Sequence, residues 1–326
     1  MSQATAPEAP TIQSSANFIG LNINQLRVNS TLREDEWEAI DAALIPAAVA
    51  PLRATQDLID AGLVRDLRAR GFGATVDLFD RVSKMSDADV QMDTATNLSE
   101  DIVAYDRQGV PLPVIGKAFR FSLRQLEASR QLGDPVDVDA GEAAARVIGE
   151  SLENLVVNGE RMDGTQVTIA GHTIHGYTSH PDRNEGNLTG GGWNESGGDP
   201  LQDTLDMLSD AETAKHFGPF WLYVPSTYSG ALDDDYKAES ERTLQQRLEA
   251  IDRIQGVRVL DKLPDNNVVL VEATRRTVDL VIAVDPITFP EEISGGLSMR
   301  MHVVQVAAPR LKSDYDGNMG LVHYTP

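Results

Sequence analysis

Apolar and polar residues alternate most clearly between Gly109 and Gly159. From residue 112 to residue 121, Ile115, Phe119 and Phe121 fall on one parity, while small or charged residues fill most of the other. A period of two is typical of a β-strand with unequal faces. This segment is therefore predicted to be a strand with one buried and one exposed face.

Two helices are predicted to follow this strand. Ser122 and Gln125 form a capping-box pattern, which predicts the start of a helix of about three turns. Asp139 and Glu142 repeat the pattern and begin a longer helix, predicted over about residues 139–158. Its apolar residues recur at three- and four-residue steps on one face: Ala140, Ala144, Val147, Ile148, Leu152, Leu155 and Val156.

The preceding segment, residues 71–106, has a different pattern. It contains the polar, Asp-rich sequences VDLFDRV and SKMSDADVQMDTATN and lacks the apolar face of a core sheet. We predict a long hairpin that projects from the fold. Because an isolated two-stranded ribbon is only marginally stable in water, we expect it to lie on a neighbouring copy of the chain.

The remaining parts of the chain are predicted more coarsely. Residues 1–30 are rich in Ala, Pro, Ser, Thr and Asn without apolar periodicity, which predicts an arm. Thr31 and Glu34 form another capping box, and residues 164–198 read as loops and turns. Asp199, followed by proline, begins a further helix.

The C-terminal third alternates short apolar runs with turns. The runs are PFWLYV, VRVL, NVVLVEA, TVDLVIAV and LSMRMHVVQVAA, which predict a mostly antiparallel sheet with helices beside it. Val278, Leu280, Ile282 and Val284 share one parity. They predict a half-buried strand, paired with the preceding strand across the TRRT turn.

Composition narrows the possible functions. The chain has 326 residues, 41% of them hydrophobic, enough for a sizeable core. It has no cysteine, which excludes disulfides, thiolate metal sites and cysteine nucleophiles. No apolar run is long enough to span a bilayer, and the N-terminal sequence lacks the pattern of a secretory signal, so we expect no membrane partner and no export.

The charge is strongly negative. Fifty acidic residues against 28 basic ones give a formal net charge of −22, and only 6 of the basic residues are lysine. Acidic, lysine-poor surfaces favour a host that lives in high salt, although an ordinary acidic protein has the same balance. So negative a chain is poorly suited to bind DNA phosphates directly.

Three histidines form the first candidate site. His172, His175 and His180 lie within nine residues, and such a group can bind zinc. The spacing suits a loop better than a zinc-binding helix, and the acidic neighbours Asp182 and Glu185 are common on this surface. We favour loop histidines over a metal site.

Other candidate residues also have simpler interpretations. Asp233, Asp234 and Asp235 offer carboxylates for a hard cation, but a charge run is usually a solvated face. The glycines at 190–192 lack the following Lys-Ser or Lys-Thr of a phosphate loop. Arg275 and Arg276, at a turn, are expected to form ion pairs between subunits: such pairs are individually weak.

An enzymatic function is the least favoured alternative. A hydrolase using carboxylates such as Asp233 or Glu153 is conceivable, but no nucleophile, base and orienting residue fall together in a motif. The sequence therefore predicts no catalytic residue, no cofactor and no metal ion.

The order of these elements resembles that of the Hong Kong 97-type (HK97-like) major capsid protein, whose fold is shared by tailed double-stranded DNA viruses and by encapsulin shells. The matching segments are PLPVIGKAFRFSLRQLE, AARVIGESLENLVVNGE, GYTSHP, GPFWLYVPSTYSGAL and VVLVEATRRTVDLVIAVDPITF. The resemblance covers most of the chain and implies an α+β fold. It divides the chain into an N-terminal arm with short helices (1–70), an extended loop (71–111), a peripheral domain with a spine helix (112–198), an axial domain (199–285) and returning peripheral strands (286–326).

The resemblance also implies a function. It implies a structural, non-enzymatic subunit that forms pentamers and hexamers of an icosahedral virion shell around double-stranded DNA, assembled in the host cytoplasm with portal, scaffold or decoration proteins. The segment TLREDEWEAIDAAL also resembles encapsulins, so a nanocompartment enclosing a cargo enzyme is the alternative. Some members of the family join a lysine of the extended loop to an asparagine of a neighbour, and Lys84 is the candidate here; a solvated lysine is the simpler interpretation.

Overall fold

The structure is a computed structural model of the chain. It describes residues 52–90, 100–132, 139–234, 242–293 and 298–326, with short pieces at 17–18, 21–22, 42, 46–48 and 92. The described residues leave out most of the predicted arm and most of the helix predicted after Thr31. They also leave out Asp235 and much of the hairpin tip.

The first half of the described chain contains the hairpin and the long helix. Its elements are the short strands β1 (Asn17–Phe18) and β2 (Leu21–Asn22), helix α1 (Ala54–Asp60), β3 (Val64–Asp66), a 3-10 segment (Arg68–Gly73), β4 (Val76–Val82), β5 (Tyr105–Pro111), β6 (Val114–Ser122), α2 (Leu123–Leu132) and α3 (Asp139–Asn158).

The second half adds most of the strands. Its elements are β7 (Thr168–Ile169), β8 (His172–Thr173), β9 (Asn184–Asn187), a 3-10 turn (Thr189–Gly191), α4 (Pro200–Thr213), β10 (Phe220–Pro225), a 3-10 turn (Ser226–Tyr228), α5 (Ser229–Asp233), α6 (Leu244–Glu249), β11 (Ile254–Leu260), β12 (Val268–Glu272), β13 (Val278–Ile293), β14 (Ser298–Leu311) and β15 (Leu321–Thr325).

A four-stranded sheet in the order β3-β13-β14-β6 packs against α3. The predicted strand is confirmed as β6, where Ile115 and Phe121 are buried and Phe119 is half-buried. The first capping box is also confirmed. The Ser122 backbone N–H donates to Gln125 Oε1 at 3.0 Å, and the Gln125 N–H donates to Ser122 Oγ at 3.2 Å. These local bonds fix the turn from β6 into α2.

The long helix α3 has the predicted bounds. It ends before Gly159, whose φ of +72° is the left-handed conformation that favours glycine after a helix. Ala144, Ile148 and Leu152 are buried as predicted, while Val147 is 42% exposed. Val147 therefore lies at the edge of the apolar stripe and not at its centre.

A five-stranded mixed sheet has the order β11-β10-β12-β15-β9. Strand β10 is parallel to β11 and antiparallel to β12, and β9 is parallel to β15. Helix α4 packs against this sheet and begins as predicted, since Asp199 Oδ1 accepts the Gln202 N–H at 3.1 Å.

The predicted pairing across the TRRT turn is wrong. Strand β12 belongs to the five-stranded sheet and β13 to the four-stranded one, so the chain crosses between sheets at residues 273–277. The run from Val278 to Val284 is buried throughout instead of half-buried. The reason is that both parities are apolar except at Asp279, whose carboxylate is ion-paired with Arg310.

The two sheets share a core. One cluster of buried residues joins α3, the four-stranded sheet and one face of the five-stranded sheet, and it includes Trp221 and Tyr223 of β10. The alternate β10 residues Leu222 and Val224 point into a second cluster beneath α4. Two elements cross the division predicted from the resemblance: β13 runs continuously past residue 285, and β15 joins the five-stranded sheet.

Candidate functional site

Strands β4 and β5 form the predicted hairpin, which we term the ribbon (residues 76–111); the other described residues are the body. The antiparallel ladder runs from the pair Val76–Pro111 to the pair Val82–Tyr105. Beyond it, the side chains of Val90 and Ile102 are 97% and 91% exposed. The outer ribbon thus presents apolar side chains that the body does not cover.

A buried ion network fixes the base of the ribbon. Arg310 of β14 donates from Nη1 to Asp77 Oδ2 of β4 at 2.6 Å and from Nε to Asp279 Oδ1 at 2.7 Å. Lys312 Nζ adds a bond of 2.6 Å to Asp279, and Arg65 Nε lies 2.9 Å from Asp77. Burial lowers the pKa of Lys312, against the opposing effect of Asp279. Arg310 is the cation that contacts both buried carboxylates, so its loss would leave Asp77 with Arg65 and Asp279 with Lys312, both of which are more exposed than Arg310.

A second polar cluster lies further along the ribbon. Arg81 of β4 donates from Nη2 to Asp106 Oδ2 of β5 at 2.6 Å. Its Nη1 donates to Ser313 Oγ at 2.8 Å and to Asp182 Oδ2 at 3.2 Å, both in the body. Hydrogen bonds from Arg81 and Gln108 lower the pKa of Asp106. One guanidinium therefore connects both ribbon strands to two body segments.

A cavity of about 340 Å³ lies between the ribbon base and the body. Phe79, Arg81 and Val110 border it from the ribbon, and Asp182 and Leu311 border it from the body. The inner face of the ribbon therefore borders an open space here, although Val110 is buried and Phe79 packs against the main core cluster.

The three histidines of the predicted loop line this cavity. The rings of His175 and His180 are 5.4 Å apart between centroids, and burial lowers the pKa of His180 to about 4. The His172 ring lies against Gly109, where a Cβ would come within 2.9 Å of three ring atoms. In the described part of the chain, no three His, Asp or Glu side chains are grouped to hold a metal ion.

The other candidate residues lie apart from this cavity. Asp233 ends α5, and Gly190 and Gly191 form the 3-10 turn before α4. Arg275 Nη2 donates to the Gly62 carbonyl oxygen at 2.9 Å, within the chain. Lys84 is exposed on the ribbon. The structure brings none of these residues together with the histidines.

Glu153, considered above as a hydrolase carboxylate, is fully engaged in structural bonds. Its side chain on α3 is buried, and Oε1 accepts the N–H groups of Arg53 and Ala54 at 3.0 and 2.7 Å. Oε2 accepts the N–H and hydroxyl of Thr55 at 3.1 and 2.7 Å. The carboxylate thus holds the start of α1 against α3 and has no geometry for general-base chemistry.

A buried polar cluster of Glu272, His216 and Thr277 was not predicted from the sequence. This cluster lies where the chain crosses between the two sheets. Glu272 Oε2 is 2.6 Å from His216 Nδ1 and accepts the Thr277 hydroxyl at 2.6 Å. Burial raises the pKa of Glu272, but the bonds from His216 and Thr277 outweigh it and leave the pKa below its ordinary value. Nothing in the local sequence pattern pairs these residues, which are 56 and 5 positions apart.

This arrangement defines a class of protein. A ribbon anchored on β14, a four-stranded sheet under the long helix and a five-stranded sheet that shares its core form the Hong Kong 97-type fold, as in viral capsids and encapsulin-like shells. The virus-like particle from Pyrococcus furiosus matches with a TM-score of 0.64 at 19% identity, covering 88% of this chain and 98% of that chain. The capsid of Myoviridae phage XM1 matches with a TM-score of 0.60 at 14% identity, covering 82% and 90%. At these identities the likeness shows the fold alone.

The chain belongs to the family of unknown function DUF6260, whose model matches residues 27–324. It is also similar to the type 1 encapsulin shell protein EncA of Myxococcus xanthus, strain DK1622. The two are 24% identical over 257 residues, which are 78% of this chain and 81% of that protein. Of the helices described in the structure, none has the length and apolar character needed to cross a membrane.

Proposed function

We propose that this chain is a structural shell subunit that assembles with copies of itself, as pentamers and hexamers, into a closed icosahedral container and has no enzymatic activity. The observation that carries the proposal is the ribbon: its base is fixed to the body by buried ion pairs, while its outer apolar side chains are uncovered.

Several apolar side chains of the outer ribbon are half to fully exposed. Met85 is 54% exposed and Tyr105 68%, in addition to Val90 and Ile102. A two-stranded ribbon with exposed apolar residues is unfavourable in water unless another surface covers it. A second copy of the chain is the economical partner, because closed symmetric assemblies repeat one set of contacts.

We propose a double-stranded DNA genome as the content, which makes the chain the major capsid protein of a tailed virus, assembled in the host cytoplasm. The formal charge of −22 agrees with a wall that encloses DNA through closure and counterions and makes no sequence-specific contact. Portal, scaffold or decoration proteins are further partners in this proposal. We propose the divisions at residues 71, 112, 199 and 286 as domain boundaries along the sequence, with β13 crossing the last one and β15 joining the five-stranded sheet.

An encapsulin-type compartment around a cargo enzyme is the second candidate. The likeness to EncA over 78% of this chain favours it specifically. The two candidates share the wall and differ in what it encloses.

Negative-stain microscopy of the purified full chain tests assembly, and the content of isolated particles separates the two candidates. We expect shells tens of nanometres wide that protect DNA from added nuclease. Particles that hold a protein and no nucleic acid would support the compartment. A uniform monomer at both low and high salt would contradict both.

A further inference from the structure

The ribbon packs on the body at its base and is held by polar contacts further out. Val110 is 8% exposed in the main core cluster and Phe79 packs against that cluster, although both also border about 340 Å³ of open space. Towards the tip, Val82 and Tyr105 are 48% and 68% exposed, so apolar packing on the body does not hold this part of the ribbon. Directional polar contacts are the restraint that the structure shows there.

Arg81 is placed to provide this restraint. It lies further along β4 than Asp77, on the cavity side, and its side chain is only 20% exposed. Asp106 fixes the guanidinium to the opposite ribbon strand, while Asp182 and Ser313 fix it to the body.

The two body residues that Arg81 contacts are also hydrogen-bonded to each other. Ser313 Oγ donates to Asp182 Oδ2 at 2.6 Å, so Arg81 contacts one connected unit. Asp182 precedes β9, whereas Ser313 follows β14. Each residue therefore lies on a segment that leads from the peripheral part of the fold to the five-stranded sheet. Arg81 thereby couples the ribbon to the junction between the two sheets.

We propose that Arg81 is a positioning residue that sets the direction in which the ribbon leaves the body, so that the outer ribbon meets a second copy of the chain. This inference rests on the proposed shell function. The neighbouring Arg107 provides a matched control, because it pairs with Asp80 across the same two strands but is 68% exposed and makes this pair away from the body.

The test compares Arg81→Gln with Arg107→Gln in the full chain. In Arg81→Gln, Asp106 and Asp182 lose their shared cation, so amide hydrogen exchange of the β4–β5 ladder should accelerate about tenfold or more, while the four-stranded sheet is unchanged. Shell yield, counted by negative-stain microscopy, should fall. Arg107→Gln should match the wild type in both measurements.

The outcomes separate positioning from general stability. Equal exchange in the two variants, faster exchange throughout the body, or faster ribbon exchange with normal shell yield would each overturn the proposal. If Arg81→Gln does not fold, the Asp182→Asn variant is used in its place. Asparagine keeps the side-chain volume of Asp182 and leaves the Arg81–Asp106 pair intact, while it weakens the link between Arg81 and the body. If the wild type forms no shells, the proposed function fails, and the exchange comparison still decides whether Arg81 restrains the ribbon.

Discussion

Replacing Glu153 by glutamine tests whether one buried carboxylate holds α1 on the long helix. Glu153 is 3% exposed and accepts four hydrogen bonds, two on each oxygen. Glutamine retains one oxygen and places an amide N–H₂ where the other was. With the N–H₂ at the Oε2 position, the Thr55 hydroxyl rotates to accept from it, so one donor, the Thr55 backbone N–H, loses its acceptor and faces another donor.

The expected magnitude follows from this count. Leaving a buried donor unsatisfied costs about 1–3 kcal/mol, so the change should lower the stability of the α1–α3 contact by about that amount. If α1 detaches locally, its amides should exchange roughly 5- to 140-fold faster, because each 1.4 kcal/mol corresponds to about tenfold. If unfolding is global, the loss appears in the free energy of unfolding.

Urea denaturation and hydrogen exchange of the unassembled chain measure both possibilities. Glu142→Gln is the matched control, since Glu142 is an exposed carboxylate on the same helix. We expect the control to change the free energy of unfolding by less than about 0.5 kcal/mol. If Glu153→Gln behaves like Glu142→Gln in both measurements, the carboxylate does not hold α1 and our account of this contact is wrong.

Two further changes test the ribbon base and the pH dependence of stability. Gly109→Ala places a Cβ within 2.9 Å of the His172 ring, so this change should lower the melting temperature. Gly73→Ala is the control, because a Cβ at residue 73 meets no atom within 4 Å. Equal melting temperatures of the two variants would contradict this packing. Burial lowers the pKa of both His180 and His323 to about 4. The unfolded imidazoles take up protons first, so stability should fall as the pH drops from about 6.5 to 4, by up to about 3 kcal/mol per histidine. Urea titrations should show a shallower dependence in His323→Gln, and an unchanged slope would refute this assignment.

Local pairings in this fold were predictable from the sequence, and distant ones were not. The Ser122–Gln125 box and the Asp199 cap join residues three positions apart, and periodicity alone identified β6 and α3. Arg81 and Ser313 are 232 positions apart, so no spacing rule connects them. The same holds for Glu153 and its donors.

The error at β13 has a physical origin. A run that is apolar on both parities can form one strand of a local hairpin or a central strand of a larger sheet, and the sequence pattern does not distinguish the two. The shared core decides it, because burial of both faces needs neighbours on each side. The high-salt host stays a prediction from composition, since the fold is common to shells of several origins.

Cryo-electron microscopy of particles assembled from the full chain tests the central claim most directly. We predict closed shells in which residues 82–105 of each ribbon lie on a neighbouring subunit, with Met85, Val90 and Ile102 covered by it. Closed shells whose ribbons touch no other copy, or a chain that stays monomeric at every salt concentration, would contradict it.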